Sequence, residues 1–310
     1  MNVTHSEKIT KAIQDLSEYD LLKGLCHEEI ESSPMPSAMV LMEVVNLCRA
    51  ILFPGYFGNA SITKQNLSFH IGLNVERLHQ LLCAQVLAGL CFQKQVEAHS
   101  NNDCEVLSKT RHEQHLMRDQ AEAISADFIV SMPKLRDLLA TDVLACYNGD
   151  PAAESMEEII YCYPAIRAIS NYRIAHKLME LGVPMIPRMI TEMAHSETGI
   201  DIHPGATIGT HFAIDHGTGV VIGATAVIGN NVKLYQGVTL GAKSFPLDED
   251  GHPIKGVPRH PILRDNVVIY SNATILGRIT IGENATVGGN IWVTEDVAPN
   301  ARVVQSKAKK

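Results

Sequence analysis

The sequence predicts an α+β chain in two parts: an all-α domain over residues 1–198, followed by a parallel β-helix over residues 199–310. Three observations predict it. All seven cysteines lie before residue 163, whereas most of the isoleucine-valine-glycine periodicity lies after residue 200. Before a boundary at Ala194–Gly199 ("AHSETG"), apolar residues recur at helical spacing, and after it they recur every six positions. A period of six belongs to neither a helix nor an ordinary strand. It is the period of a β-helix, in which each hexad is one short strand plus a turn and three hexads close a coil of about eighteen residues.

The helical part reads as segments around residues 6–24, 36–53, 74–92, 104–131, 134–147, 154–161, 164–181 and 184–196. Val75, Leu78, Leu82 and Val86 illustrate the basis, since that spacing lays one apolar stripe along a helix. The most apolar run, "SAMVLMEVVNLCRAILF", is broken by Glu43 and Arg49, so it is a buried or subunit-contacting helix rather than a membrane span. Cys26, Cys48, Cys83, Cys91, Cys104, Cys146 and Cys162 show no paired metal spacing and read as small core residues in a reducing compartment.

In the repeat, Ile202, Ile208, Ile214, Ile222, Ile228, Leu234 and Leu240 form one aliphatic row, and Leu263, Ile269, Ile275, Ile281, Val287 and Val293 continue it. These side chains should stack inward. Gly209, Gly223, Gly229, Gly282 and Gly288 each follow one of them, where a corner calls for backbone freedom. The row is interrupted twice. The step from Ile214 to Ile222 is eight residues, admitting two extra beside Asp215 and His216. Between Leu240 and Leu263 a Pro- and Gly-rich stretch, about 242–260, should leave the prism as an arm, with Arg259 and His260 where it returns. A tail follows at about 298–310.

A net charge of −8 argues against a nucleic-acid or anionic-membrane partner. The basic end "SKAKK" reads as a solvated terminus, and "MNVTHSEKIT" lacks the layout of a secretory signal. The expected location is the cytoplasm.

The two interruptions each carry a histidine, the side chain suited to proton transfer near neutral pH. Asp201 lies fifteen residues before His216, close to one coil, and could hold the ring nitrogen that faces away from a substrate. His216 is then the general base. Asp150 and Asp215 could receive an ammonium and Arg259 a carboxylate, which together describe an amino acid. Asp150 has a second reading: in "NGDPA" it could cap a helix that starts at Pro151.

"DIHPGATIG", "IDHGTGVVIG", "VTLG", "RHP" and the pair Ile275-Leu276-Gly277 and Ile279-Thr280-Ile281-Gly282 resemble the serine O-acetyltransferases, and the upstream "NGDPAA" and "YRIAHKL" resemble that family's helical domain. The resemblance covers about residues 146–295. It implies a left-handed β-helix and transfer of acetyl from acetyl-CoA to the hydroxyl of L-serine, giving O-acetylserine for cysteine biosynthesis. His216 would be the base oriented by Asp201, with Asp150 and Asp215 on the serine amino group and Arg259 and His260 on the carboxylate and hydroxyl end. Gly241, Ala242 and Ser271 would contact acetyl-CoA, although Ala242 stands where the family usually has glycine, and "IYSNA" where it has "IGAGA". No covalent acyl-enzyme is needed, and no cysteine lies in the repeat to form one. No metal is expected. The family forms trimers or dimers of trimers, and cysteine inhibition is expected because cysteine keeps the handles of serine. Many relatives end in an isoleucine that enters O-acetylserine sulfhydrylase; this chain ends in Lys310, so no tight complex of that kind is expected.

Two other readings compete. Another acceptor, such as a sugar or homoserine, would keep the fold and the chemistry. A zinc enzyme resembling the γ-class carbonic anhydrases would use His211 and His216, with His203 as a third ligand.

Overall fold

The computed structural model describes residues 5–18, 35–58, 61–100 and 111–305. Among them, seven helices precede fourteen short strands: α1 (His5–Ser17), α2 (Ala38–Leu52), α3 (Leu67–Ser100), α4 (Arg111–Gly149), α5 (Met156–Cys162), α6 (Pro164–Glu180), α7 (Ile186–Thr198) and β1–β14 from Asp201 to Val303. Cys26, Cys104, the start of the helix expected at 104 and the end "SKAKK" with Lys310 lie outside the described residues.

The helices bury the stripes the sequence lays out. In α3, Leu78, Leu82 and Val86 are fully buried, and α2 meets them with Leu41, Val44, Cys48 and Ile51. The opposite side of α2 leaves Met39 and Met42 exposed. The helices expected at 104–131 and 134–147 are one in the described span, because α4 runs through Pro133 with Phe128, Met132, Leu135 and Leu139 buried on both sides of it. Packing on both flanks offsets the loss of one helical hydrogen bond. Cys162 is exposed, against its expected core position; Cys48, Cys91 and Cys146 are buried.

Each strand from β1 to β10 pairs in parallel with the strand three further along, and β12 pairs with β14, giving a three-sided prism. One face is β1 (Asp201–Ile202), β4 (Val221–Ile222), β7 (Thr239–Gly241), β10 (Thr274–Leu276) and β13 (Trp292–Val293). The second is β2 (Thr207–Ile208), β5 (Val227–Ile228), β8 (Ile262–Leu263) and β11 (Thr280–Ile281). The third is β3 (Ala213–Asp215), β6 (Lys233–Tyr235), β9 (Val268–Ile269), β12 (Thr286–Val287) and β14 (Arg302–Val303). All thirteen aliphatics of the expected row lie inside it at 7% exposure or less. A second inward row escaped the sequence reading: Ala206, Phe212, Val220, Ala226, Val232, Val238, Val267, Ala273 and Ala285 each precede a row member by two residues and are just as buried.

The pairing registers measure the interruptions. Ile262 pairs with Thr280, eighteen residues on, whereas Asp201 pairs with Val221, twenty on. The two extra residues are taken up by the corner after Asp215, where His216, Gly217 and Gly219 all have left-handed φ values of 58°, 96° and 82°. Val227 pairs with Ile262, thirty-five on, so seventeen extra residues leave as the expected arm. The arm folds back on itself, with Leu247 bridged to Pro253 and the Ile254 N–H donating to the Pro246 carbonyl at 2.8 Å.

The glycine expectation is corrected. None of Gly209, Gly223, Gly229, Gly282 and Gly288 has a left-handed φ; that conformation falls instead on Asn231, Asn266, Asn284 and Asn300, whose amides form a ladder with bonds of 2.8, 3.0 and 3.0 Å. The glycines serve close stacking: a Cβ at Gly229 would lie 2.3 Å from Asp265 Oδ1 and one at Gly282 2.4 Å from the Pro299 nitrogen.

Buried on nearly every side, α6 joins the two parts. Its Tyr172 hydroxyl donates to the Ala206 carbonyl at 2.6 Å, Arg173 donates to the carbonyls of Ile208 and Gly209 at 2.6 Å each, and the His176 ring lies 2.7 Å from the Pro204 carbonyl. These carbonyls belong to the first coil, which has no strand above it. Arg173 is anchored by a bidentate bond to Asp142 of α4 at 3.1 Å, both residues being buried.

Candidate active site

The expected residues gather at two corners of the prism. Asp215 ends β3 and His216 occupies the corner between the third and first faces. Beside them ends α4, and Asp150 follows its last residue. Asp150 does not cap a helix. The cap of α5 is Ser155, whose Oγ accepts from the Glu158 N–H, while Asp150 Oδ1 accepts from the Ala152 N–H at 2.8 Å and Oδ2 from the Tyr163 hydroxyl at 2.5 Å. These two bonds, Tyr163 foremost, hold the Asp150 carboxyl below the usual range, with Lys233 and His216 adding their charge.

Asp215 Oδ1 lies 3.8 Å from His216 Nε2, and Oδ2 pairs with Lys233 Nζ at 3.0 Å. The same ammonium donates to the Gly149 carbonyl at 2.6 Å and stands 4.5 Å from the Tyr235 ring centroid. Burial works against the Lys233 charge, but its bonds to Tyr235 and Asp215 outweigh that and raise its pKa. The His216 side chain is 73% exposed, open to a reactant.

Asp201 opens β1 at the same corner, where the Gly219 N–H donates to the Gly199 carbonyl and a Cβ on Gly217 would strike Ile200 at 2.5 Å. The expected Asp201–His216 hydrogen bond is not formed. Asp201 Oδ1 is buried without a hydrogen-bond partner, 3.6 Å from Arg188 Nη1, and the carboxylate clusters with Glu192 and His195 of α7. Arg188 of α7 draws it toward the helices, while the left-handed backbone of His216 turns that ring outward.

Arg259 and His260 lie at the next corner, between the first and second faces. The Thr225 Oγ1 accepts from both of their amides, at 2.9 and 3.1 Å. The Thr225 N–H donates to His260 Nδ1 at 3.1 Å, so a neutral ring carries its proton on Nε2. Burial, then the positive charges of Arg259 and other neighbours, push the His260 pKa down to about 4. Gly223 makes room for this ring: a Cβ there would lie 2.0 Å from His260 Cδ2. Arg259 Nε is buried with no hydrogen-bond partner, and the guanidinium stands 5.7 Å from the Phe245 ring of the arm.

Gly241 ends β7, with Ala242 at the base of the arm, and Ser271 lies in the corner after β9. Gly289, one coil on, lets the next coil pack closely against Ser271, since a Cβ there would fall 3.0 Å from its carbonyl oxygen. Tyr270 stacks on Tyr235 with centroids 4.9 Å apart. The three histidines of the zinc reading occupy three different corners of one prism, so a single chain does not bring His203, His211 and His216 together.

Lys233, Tyr163, Thr225 and Arg188 are the residues sequence reasoning missed. For Lys233 the signal was available: it stands twenty residues after Ala213, one lengthened coil, and so lies directly beside the strand that ends in Asp215.

Comparison with known proteins points one way. No protein-family model matches the chain. A plasmid-borne serine acetyltransferase of Synechococcus elongatus is 45% identical over 276 residues, covering 89% of this chain and 83% of that protein. The serine acetyltransferase of Mycobacterium tuberculosis is 44% identical over 163 residues, 53% of this chain and 67% of that protein. Among solved structures, Entamoeba histolytica serine acetyltransferase 1 in complex with L-cysteine superposes with a TM-score of 0.69 at 34% identity, covering 94% of each chain. The Neisseria gonorrhoeae serine acetyltransferase in complex with serine gives 0.53 at 25% identity, covering 93% of this chain and 99% of that one. With this likeness along nearly its whole length, the chain belongs to the serine acetyltransferase family of acetyl-CoA-dependent O-acetyltransferases.

Proposed function

We propose that the chain transfers acetyl from acetyl-CoA to the hydroxyl of L-serine, giving O-acetylserine for cysteine biosynthesis. The observation that carries this reading is the placing of Asp150 and Asp215 around the exposed ring of His216. Two carboxylates suit the ammonium of an amino acid and leave the imidazole to take the proton of its hydroxyl. Acetyl-CoA supplies an electrophilic thioester carbonyl. As the serine oxygen attacks it, His216 takes the hydroxyl proton and returns it to the departing sulfur, so no acyl-enzyme forms. Gly241, Ala242 and Ser271 are the residues that would hold acetyl-CoA.

Asp201 is the orienter of His216 in this reading. Its buried Oδ1 at the same corner accepts no hydrogen bond and keeps acceptor capacity beside its ion pair with Arg188, which supports that role. Arg259 and His260 receive the carboxylate and the hydroxyl end, with the unpartnered Arg259 Nε and the His260 Nε2–H as donors. Because these residues stand one prism face away from His216, the complete site is assembled between neighbouring prisms of a trimer, or of a dimer of trimers. The E. histolytica structure holds L-cysteine, which supports inhibition of this chain by cysteine at the serine position.

The test is thiol release from acetyl-CoA by metal-free protein with L-serine, L-homoserine, simple sugars or no acceptor. Release that depends on L-serine is expected. Release with another acceptor alone would overturn the substrate assignment.

A further inference from the structure

Lys233 stands out among the groups at the His216 corner, because it is a half-buried cation in a place where an incoming cation is to be bound. Its side chain is 17% exposed and that of Asp215 14%. Its stem lies across Gly149, where a Cβ would come within 3.4 Å of Nζ and 3.5 Å of Cδ, so the lysine and the end of α4 are fitted to each other. One ammonium thus ties three things together: Asp215 Oδ2 on β3, the last carbonyl of α4, and the Tyr235 face on its own strand. Asp150 is the residue immediately after that carbonyl.

Two consequences follow. Asp215 is linked directly to the residue before Asp150 through one side chain, beside the bonds that Thr141 and Asp142 of α4 accept from the His211 and Phe212 amides. The charge of the pair is also reduced from −2 to −1 at neutral pH, by simple count, matching one α-ammonium. The oxygens divide accordingly: Asp215 gives Oδ2 to the lysine and turns Oδ1 toward His216, while Asp150 keeps acceptor capacity beyond its bonds to Tyr163 and Ala152.

We propose that Lys233 is a positioning residue of the amino-acid site, holding Asp215 and the end of α4 so that Asp150 and Asp215 form a receptor with one net negative charge for the acceptor's ammonium. The proposal rests on the reading that these two aspartates receive that ammonium. It makes no claim that Lys233 touches the reacting atoms.

The experiment compares Lys233→Met, Lys233→Gln and Lys233→Arg with the unsubstituted enzyme in steady-state thiol release, titrating L-serine and acetyl-CoA separately. For Met and Gln the KM for serine should rise at least tenfold while the KM for acetyl-CoA stays within twofold, and Arg should recover most of the loss. The neutral Gln variant keeps a hydrogen-bond donor and serves should the Met variant fail to fold. A serine KM within twofold of wild type in a folded Met or Gln variant would overturn the proposal, as would equal changes in both KM values. Asp150→Asn and Asp215→Asn separate the two levels of the argument. If they raise the serine KM and Lys233→Met does not, the lysine proposal alone fails; if they leave it unchanged, the ammonium reading beneath it fails.

Discussion

Replacing Gly223 by alanine tests whether the position of His260 matters to the reaction. The added methyl would lie 2.0 Å from His260 Cδ2 and 2.1 Å from Nε2. An ordinary van der Waals contact is about 3.4 Å or more, so the ring must withdraw by about 1.4 Å. It has little freedom to do so, being 7% exposed and bonded to Thr225 through Nδ1. Overpacking of this kind costs about 1–3 kcal/mol of stability. A displacement of about 1 Å in a positioned group costs on the order of a hundredfold in rate. Gly223→Ala should therefore lower kcat/KM for serine about a hundredfold, measured by thiol release, in a protein whose cooperative thermal unfolding persists at a reduced midpoint. A folded variant with kcat/KM within threefold of wild type would refute the placing of His260 against the substrate.

Other expectations follow from the same geometry. His216→Ala should reduce turnover roughly a hundred- to ten-thousand-fold with the assembly intact by light scattering, and a loss below tenfold would remove it as the base. Arg173→Met should cost about 3–5 kcal/mol in denaturant unfolding, because it leaves Asp142 buried without its partner; a loss under about 1 kcal/mol would show that the pair does not join the two parts. The His260 pKa lies near 4 in the folded chain against 6.5 for a free imidazole, so the unfolded chain binds that proton first as the pH falls. Stability should be complete above pH 6.5 and decline from there toward pH 4. His260→Gln should flatten that decline in urea midpoints, and an unchanged decline would refute its origin in this ring.

The prism was legible because a hexad repeat states its own geometry: thirteen side chains at one spacing must face one way, and all of them do. The two departures from that spacing were legible for the same reason, and each marks a corner that carries a candidate histidine. Less visible was anything set by backbone conformation or by contact between the parts. Left-handed φ falls on Asn231, Asn266, Asn284 and Asn300 rather than on the glycines after each aliphatic, because those glycines answer to the neighbouring coil and not to their own φ. Pro133 reads locally as a break, yet neighbours on both flanks carry α4 through it. The Asp201–His216 pair was a spacing argument; spacing brought both to one corner but could not foresee Arg188, which reaches Asp201 from α7. Lys233 needed the coil length and the end of α4 together, and only the first of these is written in the repeat.

The bonds from α6 to the first coil bear on solubility. A stack of parallel strands presents open backbone groups at its end, a template on which another chain can add as the next layer. Tyr172, Arg173 and His176 occupy the carbonyls of Pro204, Ala206, Ile208 and Gly209 that such a layer would need. The helical part is thus an end-stop. A prism expressed without it should tend to grow end to end into fibrils rather than remain a discrete particle.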